Sequence, residues 1–114
     1  MERTGTVYIM ASGTNGTLYV GATSDLVRRV WQHRNHAAPG FTDRYNVVRL
    51  VWYETGGSMA GAIAREKAIK KWQRAWKIRL IEATNPAWRD LAVDFGYEAL
   101  SDAAPASGFP PARE

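Results

Sequence analysis

Two short segments near the start of the chain constrain the fold more than any other feature. Residues 6–11 (TVYIMA) and 17–22 (TLYVGA) are rich in β-branched and aromatic residues, which favour strands. Between them lies SGTNG, whose Gly and Asn tolerate the positive φ of a tight reversal. The spacing predicts an N-terminal β-hairpin, against which the remaining elements have to pack.

Helix caps and breakers divide the rest of the chain. Thr23-Ser24-Asp25 offers N-caps for a helix over residues 25–35, and Pro39-Gly40 opens a loop. The next apolar run, NVVRLVWYE at 46–54, predicts the third and longest strand.

Further helices follow that strand. Gly56-Gly57 is expected to end it, and Ser58 to cap a helix continuing to about Trp72. A second helical stretch covers about 74–82, and Pro86 suits the first position of a last short helix through Leu91. The order β-β-α-β-α-α predicts an α+β fold, a small three-stranded sheet (the hairpin plus a third strand) flanked by helices.

The bulk properties limit the chain to one small domain. Its 114 residues suit a single folded unit, expected over 1–95, and the Pro-rich end predicts a disordered tail over 96–114. The absence of cysteine excludes disulfides and thiolate zinc sites. No leader-like or membrane-length apolar run is present, so we expect a cytoplasmic protein without a membrane partner.

Positive charge is concentrated in one segment. The whole chain has a net charge of +4, and residues 65–79 hold seven basic side chains and one acidic one, interrupted by Trp72 and Trp76. Such a cluster is typical of phosphate binding. A solvated amphipathic helix explains the charge pattern equally well, and both interpretations stay open at this point.

Two polar residues lie at the margin of the apolar face predicted for the first helix. Leu26, Val27 and Val30 define that face at helical spacing. Arg29 and His33, four residues apart, stand side by side at its edge. Repulsion between them, whenever the histidine is protonated, argues against a purely stabilising role. The structural alternative is that both side chains extend outward or bond to backbone acceptors.

A carboxylate occupies an apolar face of the following helix. Glu66 falls in the middle of a face formed by Met59, Ala62, Ile63 and Ile69. Burying a carboxylate is costly unless it meets a cation or a metal. The alternative is an ordinary ion pair with Lys70, one helical turn away.

The two strands of the hairpin each carry a tyrosine. Tyr8 and Tyr19 could form a cross-strand aromatic pair that only stabilises the sheet. A phenol can also orient or deprotonate a water if nearby charge lowers its pKa.

Read together, these segments resemble a known family. TVY at 6–8, YVG at 19–21, SDLVRRVWQH at 24–33 and AREKAIKKW at 64–72 are similar to the motifs of GIY-YIG nuclease domains, in particular the small stand-alone bacterial members. The resemblance covers about residues 5–91 and closes with NPAWRDL at 85–91. Thr6 replaces the glycine of the first motif and Val20 the isoleucine of the second.

The resemblance implies a set of site residues. Matched position by position, the catalytic residues fall on Tyr8, Tyr19, Arg29, His33, Glu66 and Asn85. Glu66 would be the ligand of one Mg²⁺ or Mn²⁺ ion, and Arg29 would fork onto phosphate oxygens. Tyr8 would act as general base or position the attacking water, with His33 as its proton partner and Tyr19 as an orienting group.

The implied activity is metal-dependent endonucleolytic hydrolysis of DNA, with no small-molecule cofactor. Contacts to the DNA backbone are expected from Arg28, Arg44, Lys67, Lys70, Lys71 and Arg74. Backbone contacts carry little sequence information, so we expect selection by DNA structure, such as branched or damaged duplex, in repair or recombination.

Two other classes of function remain as alternatives. The first is a non-catalytic nucleic-acid-binding module on the same fold, which would not need a lone carboxylate on its basic face. The second is a protein-interaction domain that uses the tryptophans Trp31, Trp52, Trp72, Trp76 and Trp88.

Overall fold

The computed structural model describes residues 4–35 and 46–96. Its elements are β1 (Thr4–Ala11), β2 (Leu18–Thr23), α1 (Leu26–Arg34), β3 (Arg49–Ser58), α2 (Met59–Lys70), α3 (Arg74–Thr84) and a 3-10 helix (Leu91–Phe95). The predicted α+β class and the order β-β-α-β-α-α are confirmed. The sheet has the order β2-β1-β3 and is antiparallel throughout, so β1 is its central strand.

The hairpin turn forms as its residue types predict. Asn15 adopts a positive φ of 56°, a conformation that asparagine tolerates. The Ser12 hydroxyl accepts a hydrogen bond from the Thr17 amide at 2.9 Å, which closes the loop. The two strands then pair Tyr8 with Gly21 and Met10 with Tyr19.

The alternation of side chains along β1 builds a core on each face of the sheet. Val7 and Ile9 point into a cluster completed by α2 and α3, which includes Ile69 and Ile81. Tyr8 and Met10 point to the opposite face. The residues of that second cluster come from α1, the 3-10 helix, and β3 with the segment before it: Val30, Ala92, Leu50 and Val47. Tyr8 is therefore part of a core face.

The junction between β3 and α2 differs from the prediction. Gly56-Gly57 does not end the strand, which continues to Ser58 because Ser58 pairs with Thr4 of β1. The two glycines lie at the register shift before that pair, where they adopt positive φ (144° and 70°). Ser58 does cap α2, since its hydroxyl accepts from the Gly61 amide at 3.1 Å. The helix begins at the next residue and ends at Lys70, two residues before the predicted end.

A glycine also sets how closely α2 approaches the sheet. A Cβ added to Gly5 would lie 2.6 Å from the Ala62 Cβ and 2.8 Å from the Met59 Cα. No side chain fits there, so α2 packs directly on the backbone of β1.

Two residues of the predicted apolar faces are exposed, and those assignments were wrong. Val27 is 49% exposed because α1 meets the sheet along the narrower line of Val30 and His33. Ile63 is 39% exposed because Ala62 and Ile69, two turns apart, are the residues of α2 that face the core.

The last helix also forms elsewhere than predicted. Pro86 does not start it, because Trp88 adopts a positive φ of 57°, which no right-handed helix accommodates. The chain turns at 85–88, and the 3-10 helix starts only after Asp90, whose carboxylate accepts from the Ala92 amide.

Parts of the predictions lie outside the described residues. These are Arg44, the loop around Pro39 and nearly all of the 96–114 tail. Within residues 4–35 and 46–96, no helix has both the length and the apolar character of a bilayer span.

Candidate active site

The Tyr8 ring fits against the sheet because the residue opposite it on β2 is Gly21, which has no side chain. The phenol is completely buried, and a Cβ on Gly21 would lie 2.5 Å from both its Cζ and its Oη. Any larger residue at position 21 would collide with the ring. The glycine that closes the second tyrosine motif thus provides the space for the tyrosine of the first.

The Tyr8 hydroxyl is held from α1. It lies 3.1 Å from His33 Nε2, and the Arg29 charge is near enough to lower the pKa of the phenol. Arg29 and His33 are one helical turn apart, so α1 brings both toward Tyr8. His33 is 4% exposed, and its Nδ1 is buried without a hydrogen-bond partner in the described part of the chain.

Tyr19 completes a cluster of three rings. Its centroid lies 6.3 Å from that of Tyr8 and 5.5 Å from that of His33, and all the rings are mutually tilted. The Lys70 ammonium stands 5.9 Å from the centre of the Tyr19 ring. Tyr19 therefore joins the buried pair to the basic end of α2.

Glu66 approaches this cluster from α2. Its side chain is 16% exposed and forms an ion pair with Lys70 at 2.8 Å. The ion pair left open by the sequence is thus present. Glu66 is also near enough to Tyr8 for its charge to influence the phenol, so the carboxylate takes part in the same electrostatic environment.

The protonation states follow from these surroundings. Burial, and then Tyr19 and Glu66, raise the pKa of Tyr8, and the nearby Arg29 only partly opposes them. Burial and the neighbouring Arg29 lower the pKa of His33 to about 4. At neutral pH the free protein holds a protonated phenol against a neutral imidazole. Arg29 does lower the pKa of Tyr8, but in this state burial, Tyr19 and Glu66 together raise it by more.

The residues fit a hard divalent cation held by a single carboxylate. No group of three or more His, Asp or Glu side chains converges within 4–35 and 46–96, so a cage built entirely of protein ligands is not found there. Mg²⁺ commonly keeps most of its waters and uses one or two carboxylates together with substrate phosphate. Glu66 offers that donor chemistry, with the Lys70 cation already at its side.

Asn85 has a different environment from the other predicted residues. Its Nδ2 donates to the Val51 and Arg89 carbonyls at 3.0 and 2.8 Å, and its Oδ1 accepts from the Arg89 amide at 2.9 Å. None of these bonds goes to the tyrosine cluster. The structure uses Asn85 to hold the chain after α3 against β3. The residues that it does bring together are Tyr8, Tyr19, Arg29, His33 and Glu66.

The residues predicted to contact phosphate lie in different environments. Lys67, Lys70 and Lys71 are exposed on and just after α2, as expected for such contacts. Arg28 lies with Arg29 in a polar cavity of about 160 Å³ beside the start of α1, lined also by Thr23, Ser24, Asp25 and Gln32.

The Arg74 side chain forms hydrogen bonds within the protein. Its Nη2 donates to the carbonyls of Asn15 and Gly16, both at 2.7 Å, and so ties α3 to the hairpin loop. Nothing in the sequence indicates this contact, because the two segments are almost sixty residues apart. The second contact of Lys70, with the Tyr19 ring, was missed for the same reason.

The fold and the grouping of these residues define a nuclease-type domain. The GIY-YIG catalytic domain family matches residues 4–79, and the chain belongs to that family. The resemblance noted from the sequence is thereby confirmed.

Several UPF0213 proteins are similar to this chain. One from Staphylococcus epidermidis is 34% identical over 76 residues, which cover 67% of this chain and 92% of that protein. Another, from Desulfotalea psychrophila, is 38% identical over 80 residues, covering 68% of this chain and 71% of that protein. The solution NMR structure of the UPF0213 protein BH0048 from Bacillus halodurans matches with a TM-score of 0.47 at 26% identity, over 75% of this chain and 89% of that one.

Proposed function

We propose that this protein is an endonuclease that hydrolyses DNA phosphodiester bonds with one bound Mg²⁺ or Mn²⁺ ion. The observation that supports this most is the Tyr8 hydroxyl, which is buried, hydrogen-bonded to His33 at 3.1 Å and within range of the Arg29 and Glu66 charges. Stability alone does not favour burying this set of polar groups in a small core.

Glu66 is the proposed metal ligand. A divalent ion there would supply positive charge to the phosphate oxygens and acidify a bound water. Lys70, which pairs with Glu66 at 2.8 Å, would then be released to contact a phosphate oxygen. Arg29 provides a planar, permanently charged donor for the charge that builds on the non-bridging oxygens.

Tyr8 and His33 form the proposed proton path. His33 is neutral at pH 7, because its pKa is about 4, so it has a lone pair to offer. As water attacks phosphorus, one water proton passes to the Tyr8 oxygen and the Tyr8 proton passes to His33 Nε2. The bond between phosphorus and the leaving 3′ oxygen breaks, and that oxygen takes a proton from solvent. Tyr19 keeps the two rings in place.

Backbone contacts position the DNA in this proposal. Arg28, in the cavity beside Arg29, and the exposed Lys67 and Lys71 supply charge on either side of the site. Contacts of this kind favour selection by DNA shape over sequence. A role in repair or recombination stays a prediction from the sequence.

A non-catalytic DNA-binding module is the second candidate. The Glu66–Lys70 ion pair favours it, because a carboxylate neutralised by lysine has no need of a metal. The two candidates differ in what Glu66 does.

Cleavage of labelled duplex, flapped and branched DNAs with Mg²⁺, Mn²⁺ or EDTA tests the proposal. We expect metal-dependent cutting by the wild-type protein and a loss of at least about 100-fold in Glu66→Gln, since metal and nucleophile activation would go together. Glu54→Gln is the matched control, because Glu54 pairs with Arg65 on the exposed surface. Binding without cutting under every metal would instead support the binding module.

A further inference from the structure

An aromatic groove lies outside the tyrosine cluster and has no role in the proposed chemistry. It is lined by Trp72, Trp76, Arg79 and Leu80, is open to solvent and has a volume of about 300 Å³. Trp76 is 47% exposed. What distinguishes it from other exposed side chains is that it forms the wall of a groove together with a second indole and a guanidinium group.

Two indoles line the groove: that of Trp72 is partly buried against the core, and that of Trp76 is exposed to solvent. Trp72 packs against the core cluster beneath α2 and α3, and its ring meets that of Trp76 almost edge-on, with centroids 6.4 Å apart. The Arg65 guanidinium stands 5.5 Å from the Trp72 ring centre. Arg79 adds a second planar cation at the rim. Aromatic faces beside guanidinium groups suit flat, electron-rich rings attached to an anionic chain.

The groove and the candidate active site share one segment. Arg65 precedes Glu66 on α2, and Trp72 follows Lys70 by two residues. Of the charged side chains in residues 65–79, only Glu66 is negative. The segment that leads from Lys70 to the tryptophans thus offers positive charge to a strand whose phosphate contacts Lys70.

We propose that this groove binds an unpaired nucleobase next to the phosphate in the site. A base within a duplex has both faces covered by its neighbours, so it cannot stack on Trp76. The substrate is then a single strand, or a junction with a single-stranded arm beside the scissile bond. The assignment of a single-stranded substrate rests on the proposed nuclease function. Base binding by the groove is independent of that function.

Binding to the non-cleaving Glu66→Gln protein tests the groove directly. The probes are a short single-stranded oligothymidine, the same oligomer with abasic sites, and a duplex of equal length, with tryptophan fluorescence as readout. Adding Trp76→Ala should weaken binding of the oligothymidine on the order of 10-fold, and leave binding of the abasic oligomer unchanged. Trp76→Phe should keep most of the affinity, because it retains a face for stacking.

Trp31→Ala is the matched control, since Trp31 is exposed to the same degree (50%) on α1. It should bind all three probes like its parent. Equal losses on the oligothymidine and the abasic oligomer, or no loss with Trp76→Ala, would overturn the groove as a base site.

Cleavage then separates this inference from the proposed function. In the protein with Glu66 intact, Trp76→Ala should reduce cutting of single-stranded or flapped DNA and spare any cutting of duplex. Equal reduction of both would refute the substrate assignment while leaving the nuclease in place. Base-dependent binding by a protein that cuts nothing would refute the nuclease and retain the groove.

Discussion

Two buried polar side chains in different parts of the molecule have their hydrogen-bonding groups satisfied to very different degrees. Asn85 is 5% exposed and uses both ends of its amide, in three hydrogen bonds to backbone groups. His33 is 4% exposed, and one of its ring nitrogens has no partner among residues 4–35 and 46–96. Burying a polar atom without a partner costs on the order of 1–3 kcal/mol. The contrast indicates that Asn85 contributes to the stability of the fold. The unpaired nitrogen of His33, in contrast, lowers that stability.

Removing the Tyr8 hydroxyl should have the largest effect, and it should fall on activity. We expect Tyr8→Phe to cut DNA about 10²- to 10⁴-fold more slowly, because proton transfer in the transition state is lost. The ring still fills its place beside Gly21, so the loss of stability should be limited to that of His33 Nε2 losing its partner, on the order of 1–3 kcal/mol. Single-turnover cleavage and thermal unfolding measure the two effects. A large drop in stability with normal activity would reverse our assignment of this face.

Asn85→Ala should show the opposite pattern. It leaves the Val51 and Arg89 carbonyls and the Arg89 amide without their partner, and the protein should lose roughly 2–4 kcal/mol of unfolding free energy. Cleavage per folded molecule should stay near the wild-type rate. Urea unfolding and an assay at low temperature separate the two, and a variant that is stable but inactive would move Asn85 into the catalytic group.

Gly21→Ala should damage both properties. The added Cβ would come within 2.5 Å of the Tyr8 ring, so either the phenol or β2 must shift. We expect a cost of about 1–3 kcal/mol, typical of overpacking, together with a misplaced hydroxyl and slower cleavage. Gly13→Ala, in open space on the hairpin loop, is the control that should change neither property. If urea unfolding and cleavage of Gly21→Ala match the wild type, the Tyr8 ring is not confined as we describe.

Lowering the pH should weaken the fold gradually through His33. Its pKa is about 4 in the folded protein and about 6.5 when unfolded, so the unfolded chain binds more protons between these values. This contribution to stability is complete above pH 6.5 and falls by at most about 1.4 kcal/mol per pH unit toward pH 4. His33→Gln should flatten that part of the profile in chemical unfolding. An unchanged slope would show that His33 remains accessible to protons.

Local signals allowed much of this fold to be predicted. Asn15 in the hairpin turn, Asp25 before α1 and Ser58 before α2 all act within a few residues of themselves, and each takes the predicted role. The strand over Gly56-Gly57 could not be predicted, because Thr4, which pairs with its last residue, is more than fifty residues away. The late helix was misplaced because Trp88 adopts a positive φ that its residue type does not favour.

The sequence predicted most of the residues in the candidate site, but it did not predict how they are arranged. Helical spacing set Arg29 and His33 side by side, and the apolar neighbours of Glu66 marked it as unusual. That both α1 residues lie close to Tyr8 depends on tertiary contacts, as does the placement of Asn85. The balance of charge around Tyr8 could not be predicted either, because it depends on burial.

The direct junction between β3 and α2 has a consequence for how this protein tolerates changes in length. Ser58 ends the strand and caps the helix, so no linker residue lies between them. One inserted residue would turn α2 by about 100° and advance it by about 1.5 Å relative to the sheet. Glu66 would leave its place even if all three strands stayed paired. We expect the hairpin loop to tolerate insertions around Gly13. The junction between β3 and α2 should not, because it fixes the position of the Glu66 carboxylate relative to the sheet.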